Sequence, residues 1–267
     1  MSDILLIQPP IRDFYLTTKR TIPYGLACIA STLQKSGFSV DIFDGLASSK
    51  SKVIDLPEEM KYLEELYKQA DTSPIGLFYD FRHYGYSFEH IGTVARKSGA
   101  FLIGISSLFT PYANEALKTA ETIKRFHPHC KIVLGGHHPT AMPSHVMECK
   151  AVDFVLRGEG EVSMPLLAEA LKNDLPLEQI PGIVFRKKDQ TLHVNSPAIM
   201  KNPDDYPLPA LELIKHRYYR RAGKGSAVIT ASRGCPMKCS YCSVSATSYL
   251  TYRRRSIPNV LNEIEIA

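Results

Sequence analysis

The stretch SRGCPMKCSYCS, residues 232–243, sets three cysteines, Cys235, Cys239 and Cys242, inside eight positions of a chain that holds six in all. Thiolates at such a spacing suit a metal or an iron–sulfur cluster. Side chains three and four positions apart converge on a tight loop, and Gly234 and Pro236 permit that turn. A four-iron cluster ordinarily takes four thiolates, one per iron, so three leave one iron open. A zinc site closes with four ligands, for which His216 is a conceivable but distant fourth. Three unrelated core cysteines are the remaining reading. Cys28, Cys130 and Cys149 are scattered on a helix face and near helix ends, and read as structural.

A second set of residues lies at the ends of apolar runs, in QPP, DG, SS, GGHHPT and RGEGE. Glycine there lets a backbone approach a ligand closely, and Ser106, Ser107, Thr110 and Thr140 offer hydrogen bonds. Gly135, Gly136, His138, Gly158 and Glu159 complete the candidate contacts. Glycine and serine also end strands where nothing binds, and GEGE does not match the G-x-G-x-x-G of dinucleotide sites. His137 and His138, on a loop, read more readily as surface residues than as metal ligands.

The elements that must position these groups alternate between strand and helix. Short apolar runs at 4–8, 40–45, 101–106, 131–136 and 152–161 read as five buried strands. Leu26, Ile29, Ala30 and Leu33 keep helical spacing before Gly37, which sits where a helix-ending glycine belongs. Thr110 and Pro111 read as an N-cap and first helical residue, with Ala113, Ala116, Leu117, Ala120 and Ile123 on one face. A further helix is expected around 163–172. Buried strands with helical crossovers predict a flavodoxin-like doubly wound parallel sheet, whose ligands bind beyond the carboxyl ends of the strands. The charged piece PEEMKYLEELYKQ (57–69) and the irregular stretch after it read as an insertion on the sheet's edge.

Composition narrows the classes. A chain of 267 residues with 44 % apolar content can bury one sizeable core and part of a second. The net charge of +5 is mild, and the basic runs at 215–225 and 252–256 read as solvated faces, so nucleic-acid binding is not expected. No signal peptide or span of about 18 apolar residues occurs, which predicts a soluble cytoplasmic protein without membrane contact.

The series PYGLACIASTLQKSGFSVDIFDG, LIGISSLFT, KIVLGGHHPTAMP and VDFVLRGEGEVSMPLLAEAL, followed in order by GCPMKCSYC, resembles the cobalamin-dependent radical S-adenosylmethionine enzymes. The resemblance implies a cobalamin-binding domain over 1–178, a linker with a β-hairpin over 179–225, and over 226–267 the first βα unit of a truncated radical domain. That unit would comprise a strand at 226–232, the cluster loop and a helix from 257, making the chain a fragment. It also implies that Cys235, Cys239 and Cys242 hold a 4Fe–4S cluster whose open iron chelates S-adenosylmethionine, with Tyr241 against the adenine. Cobalamin would lie on the strand-end residues named above.

One departure matters. Domains that ligate cobalt through a histidine carry D-x-H-x-x-G after the first strand, whereas this loop reads QPPIRDFYLTTKR. Base-off cobalamin without histidine ligation is therefore expected. The implied activity is reductive cleavage of S-adenosylmethionine and methylation of an unactivated carbon or phosphorus centre on a small molecule. An external donor such as flavodoxin or ferredoxin would supply electrons. Oxidative cyclisation or ring rearrangement, a non-catalytic corrinoid-binding module, and an RNA-modifying radical enzyme are the alternatives. The last lacks the clustered N-terminal cysteines it would need.

Overall fold

The computed structural model describes residues 1–14, 22–67, 80–221, 223–237, 239–242 and 252–267. In chain order, the first half contains β1 (Ile4–Gln8), β2 (Ile11–Asp13), α1 (Tyr24–Lys35), β3 (Val40–Asp44), β4 (Ser51–Val53), α2 (Glu64–Tyr67), β5 (Arg82–Tyr84), α3 (Phe88–Ser98) and β6 (Leu102–Ser106). It continues with α4 (Ala113–Phe126), β7 (Lys131–Gly135), α5 (His137–Ala141), α6 (Pro143–Glu148), β8 (Phe154–Leu156) and α7 (Gly160–Asn173). A hairpin of β9 (Ile183–Arg186) and β10 (Leu192–Val194) follows. Beyond it come the ribbons β11 (Arg220–Arg221) with β12 (Lys224–Gly225), and β13 (Ser232–Arg233) with β14 (Arg253–Arg254), and then helix α8 (Ile257–Ile266).

The central sheet has the order β10-β9-β8-β7-β6-β1-β3. Its five parallel strands are the five expected, and their order, second-first-third-fourth-fifth, is the flavodoxin-like winding. All five residues of β1 are buried, as a strand covered on both faces requires. Alternation then sorts them: Leu5 and Ile7 join Ile91, Ala116, Ala120 and Ile123 of α3 and α4, while Ile4 and Leu6 join Leu26, Leu33, Met164 and Leu167 of α1 and α7. α1 stops as its sequence requires. Gly37 takes φ +83°, its N–H bonds Gln34 O at 2.9 Å, and Phe38 N–H reaches back to Leu33 O at 3.1 Å.

The β9–β10 hairpin falls within the stretch expected to hold one, but it adds two antiparallel strands to the β8 edge of the main sheet. The charged insertion also differs from expectation. Residues Glu58–Leu63 form a 3-10 turn before α2, and β5 pairs with β2 on one side and β4 on the other in a separate antiparallel sheet. Because β2 follows β1 after only Pro9 and Pro10, this small sheet stands by the carboxyl end of a central strand. The rest of the expected 57–69 helix, and residues 73–79 of the irregular stretch, lie outside the described residues.

Candidate functional site

A cavity of about 600 Å³ opens at the carboxyl ends of β1, β6, β7 and β8 and descends between the sheet and helices α1 and α7. Its rim carries Gln8, Ser106, Gly135, Gly136, Thr140, Gly158 and Glu159. Its depth is apolar, with Leu6, Val133 and Leu156 from the strands facing Leu26, Ile29 and Met164 from the helices. Gly104 keeps that depth tight: a Cβ there would lie 2.8 Å from Leu6 Cδ2 and 3.2 Å from Met164 Cε. Gly135 differs, since the nearest atom to an added Cβ would be Leu156 O at 3.8 Å, so a side chain fits there. At Gly158 the chain requires glycine, because φ is +85° and a Cβ would come within 2.2 Å of Ala198 O.

Among the strand-end residues singled out in the sequence, Ser106, Gly135, Gly136, Gly158 and Glu159 line this cavity, whereas Ser107, Thr110 and His138 do not. Thr110 is no N-cap; it lies in a 3-10 turn ahead of α4, and its Oγ1 is 3.2 Å from His138 Nδ1. His138 is not a surface residue. It is buried at the start of α5, its N–H donates to Ser107 O at 3.2 Å, and its ring packs edge-on against His145 at 5.6 Å. Burial, and then the neighbouring His145, hold its pKa below the ordinary value and keep the imidazole neutral. The Ser107 hydroxyl and His138 Nε2 are buried without a hydrogen-bond partner among the described residues.

The cavity reaches the cysteine segment, since Ser232, Arg233, Gly234 and Cys235 also line it. Ser232–Arg233 pairs antiparallel with Arg253–Arg254, so the segment that carries the cysteines leaves from and returns to one two-stranded ribbon. Of the strand expected over 226–232, only Ser232 is in strand conformation, because the pairing partner at 253–254 is just two residues long. All six cysteines are thiols; Cys235 is exposed, and Cys239 and Cys242 are half-buried. Cys242 N–H donates to Cys239 O at 3.1 Å, and Tyr241 is 90 % exposed. The donor set has the softness an iron–sulfur group needs, yet the described residues include no gathered set of three metal-ligating side chains. Elsewhere burial silences the thiols: it pushes Cys28 to about 12, helped by the charge of Glu161, and Cys130 to about 11.

The basic run at 252–256 is not a solvated face. Arg253 and Arg255 are nearly buried and paired, Arg253 with Glu159 at 2.6 Å and Arg255 with Glu263. Arg233 meets Glu161 at 2.6 Å. Glu161 and Arg233 line the cavity but were not among the residues singled out, and the residues separating these ion-pair partners leave no local signal in the sequence.

Residues 60–168 match the family model described as B12 binding domain. Over 98 % of its length the chain is 28 % identical to an uncharacterized methyltransferase of Pyrococcus horikoshii and, at 26 %, similar to cytidylyl-2-hydroxyethylphosphonate methyltransferase of Streptomyces wedmorensis. It covers 50 % and 51 % of those proteins, and so spans about half the length of the curated relatives it matches. Among solved structures, the radical S-adenosylmethionine methyltransferase TsrM of Kitasatospora setae, with cobalamin and a 4Fe–4S cluster bound, superposes with a TM-score of 0.61 at 17 % identity. That match covers 100 % of this chain and 46 % of TsrM. No helix among the described residues is long and apolar enough to cross a membrane.

Proposed function

We propose that the chain belongs to the cobalamin-dependent radical S-adenosylmethionine enzymes, and that the whole protein methylates an unactivated carbon or phosphorus centre of a small molecule. One observation carries the reading. A single cavity joins the carboxyl ends of the parallel strands to Cys235, so that two cofactors held at its ends face one space. Residues 1–178 are the proposed cobalamin domain, 179–225 the connector and 226–267 the start of the radical domain.

Ser106, Gly135, Gly136, Thr140 and Gly158 would contact the corrin from the rim, where hydroxyls and bare backbone replace water. The slot between Leu6, Gly104, Ile29 and Met164 would take the flat aromatic base of the cofactor's nucleotide tail, which is apolar on both faces. Cys235, Cys239 and Cys242 would ligate the cluster, with Tyr241 against the adenine of S-adenosylmethionine. When bound, the cluster and S-adenosylmethionine supply one-electron activation of an unreactive bond, and cobalamin supplies a methyl group; the protein's part is orientation and exclusion of water. Electrons would come from an external carrier such as flavodoxin or ferredoxin.

The test is anaerobic reconstitution of the chain, followed by desalting. Retention of hydroxocobalamin together with about four irons per chain is expected. Electron paramagnetic resonance of the cob(II)alamin form is expected to lack nitrogen superhyperfine splitting, because residues 8–20 contain no histidine. Loss of all cobalamin on the column, or stoichiometric zinc in place of iron, would overturn the reading. A nitrogen triplet removed by His137→Ala would instead identify a cobalt ligand on the cavity wall.

A further inference from the structure

The turn GEGE sends two carboxylates, at Glu159 and Glu161, toward a ribbon more than 70 residues away in sequence. Arg233 and Arg253 face each other across β13 and β14 as a directly opposed pair. Two guanidinium groups so placed repel, and a ribbon of two residues per strand has little else to hold it. Each is met by one carboxylate. Arg233 donates to Glu161 Oε1 at 2.6 Å, and Arg253 donates to both oxygens of Glu159, at 2.6 and 3.1 Å. The two carboxylate side chains are 5 and 6 % exposed, so water screens them little.

Glu159 does more than neutralise. Its Oε2 accepts the Met200 N–H at 2.6 Å, while Arg253 donates to Met200 O, which closes a triangle of side chains around the residue that follows the 196–199 segment. That segment is itself tied to the turn, with Ala198 N–H on Arg157 O at 2.9 Å and Glu159 N–H on Ala198 O at 3.0 Å. On the far side, Arg255 N–H bonds Ala231 O at 3.0 Å, and its guanidinium bonds Thr230 O at 2.8 Å. The ribbon is therefore fixed from the cavity rim on one side and from α8 on the other.

We infer that Glu159 and Glu161, acting through Arg253 and Arg233, are positioning residues that anchor the two-stranded ribbon bracketing the cysteine segment to the rim of the strand-end cavity. The inference rests on the proposed function for its purpose: a cysteine segment whose bracketing ribbon is fastened to the wall of the cobalamin site keeps the two cofactors in register. Its physical content, an ion-pair clamp on the ribbon, is independent of any cofactor.

Hydrogen exchange of the metal-free full chain tests it. Arg253→Met is expected to speed exchange of the amides in 230–233 and 253–256 by about tenfold or more while β1 and β6 keep their protection, because the pair is local to the ribbon. Glu161→Lys and Arg233→Glu are each expected to do the same. Combined, they restore the pair with reversed sign, and protection is expected to return to within about threefold of the parent. Unchanged exchange in Arg253→Met, or a double reversal no better protected than its single parents, would overturn the clamp. In the reconstituted chain, iron release to a chelator is expected to quicken in Arg253→Met, and unchanged release overturns the claim that the clamp serves the cluster. A parent chain that takes up neither iron nor cobalamin counts against the proposed function, and the exchange measurement still decides the clamp.

Discussion

Residues 1–219 and residues 220–267 are held by different physics. The first region closes on apolar cores spread over both faces of the sheet and beneath the connecting segment, where Ile22 and Ala27 pack with Leu211, Ile214 and Tyr219. In the second, Glu263 is the one buried side chain among the described residues, and attachment runs through Arg233, Arg253, Arg255 and the hydrogen bonds of Ser256 to Asp204. Truncating a buried leucine costs about 2–5 kcal/mol, and stranding one partner of a buried ion pair costs a similar amount, about 3–5 kcal/mol. The two regions thus differ less in the size of a loss than in how far it spreads. A core responds as a whole; a clamp of ion pairs opens locally.

The most decisive way to sharpen this contrast is at the cysteines. Each of Cys235→Ala, Cys239→Ala and Cys242→Ala is expected to abolish iron loading, because three thiolates leave no spare ligand, while the sheet region keeps its unfolding midpoint. Iron analysis beside urea denaturation reads both. Full iron in the triple variant removes the cysteine segment from the proposed site.

In the opposite direction, Leu134→Ala removes a fully buried side chain from the central sheet. A loss of about 2–5 kcal/mol is expected, seen as a lower urea midpoint with an unchanged slope. A transition that splits in two would show that the sheet and its connecting segment do not unfold as one unit.

Much of the first region is legible in the sequence, and little of the second. Runs such as ILLIQ and FLIGIS announce buried strands because covering both faces demands unbroken apolar residues. The helix ending at Gly37 is equally plain. Less legible is Gly104, since a mid-strand glycine reads as weak packing and only the approach of Leu6 and Met164 reveals that it shapes a slot. The charged stretch at 57–67 carries helix formers, yet Glu58–Leu63 buries no residue against the rest of the fold, and that part is a 3-10 turn. In the second region the cysteine spacing is visible. The arginines that hold the ribbon are not, because YRRRS looks like solvated charge until Glu159 and Glu263 are brought beside it from 94 and 8 residues away. His138 misleads for the same reason: Thr110 and His145 enclose it only after folding.

A moderate effect is expected at the cavity rim. Gly135→Leu meets no atom closer than ordinary contact at its Cβ, so the fold should stand, while the side chain enters space proposed for the corrin. Cobalamin affinity is expected to fall about tenfold or more, as displaced contacts are not replaced. Equilibrium titration with hydroxocobalamin, with circular dichroism as the check on folding, measures it. Unchanged affinity in a folded variant would place the cofactor elsewhere.

The smallest effect concerns protons. His138 has a folded pKa below its ordinary 6.5, caused first by burial and then by His145, with the neutral hydroxyl of Thr110 as its side-chain partner. Below 6.5 the unfolded chain takes up a proton that the folded chain resists, so acidification favours unfolding until the pH reaches the lower folded value. Stability from this group is therefore complete above 6.5 and declines as pH falls. The expected outcome is a smaller drop in urea midpoint between pH 7.5 and pH 5.5 for His138→Gln than for the parent. Because His138 belongs to the sheet region, exchange at 253–256 should not follow the same titration. Equal acid sensitivity in the two proteins would mean that the imidazole is charged in the fold, and a parallel change in the ribbon would mean that the two regions are coupled through more than the Glu159 and Glu161 pairs.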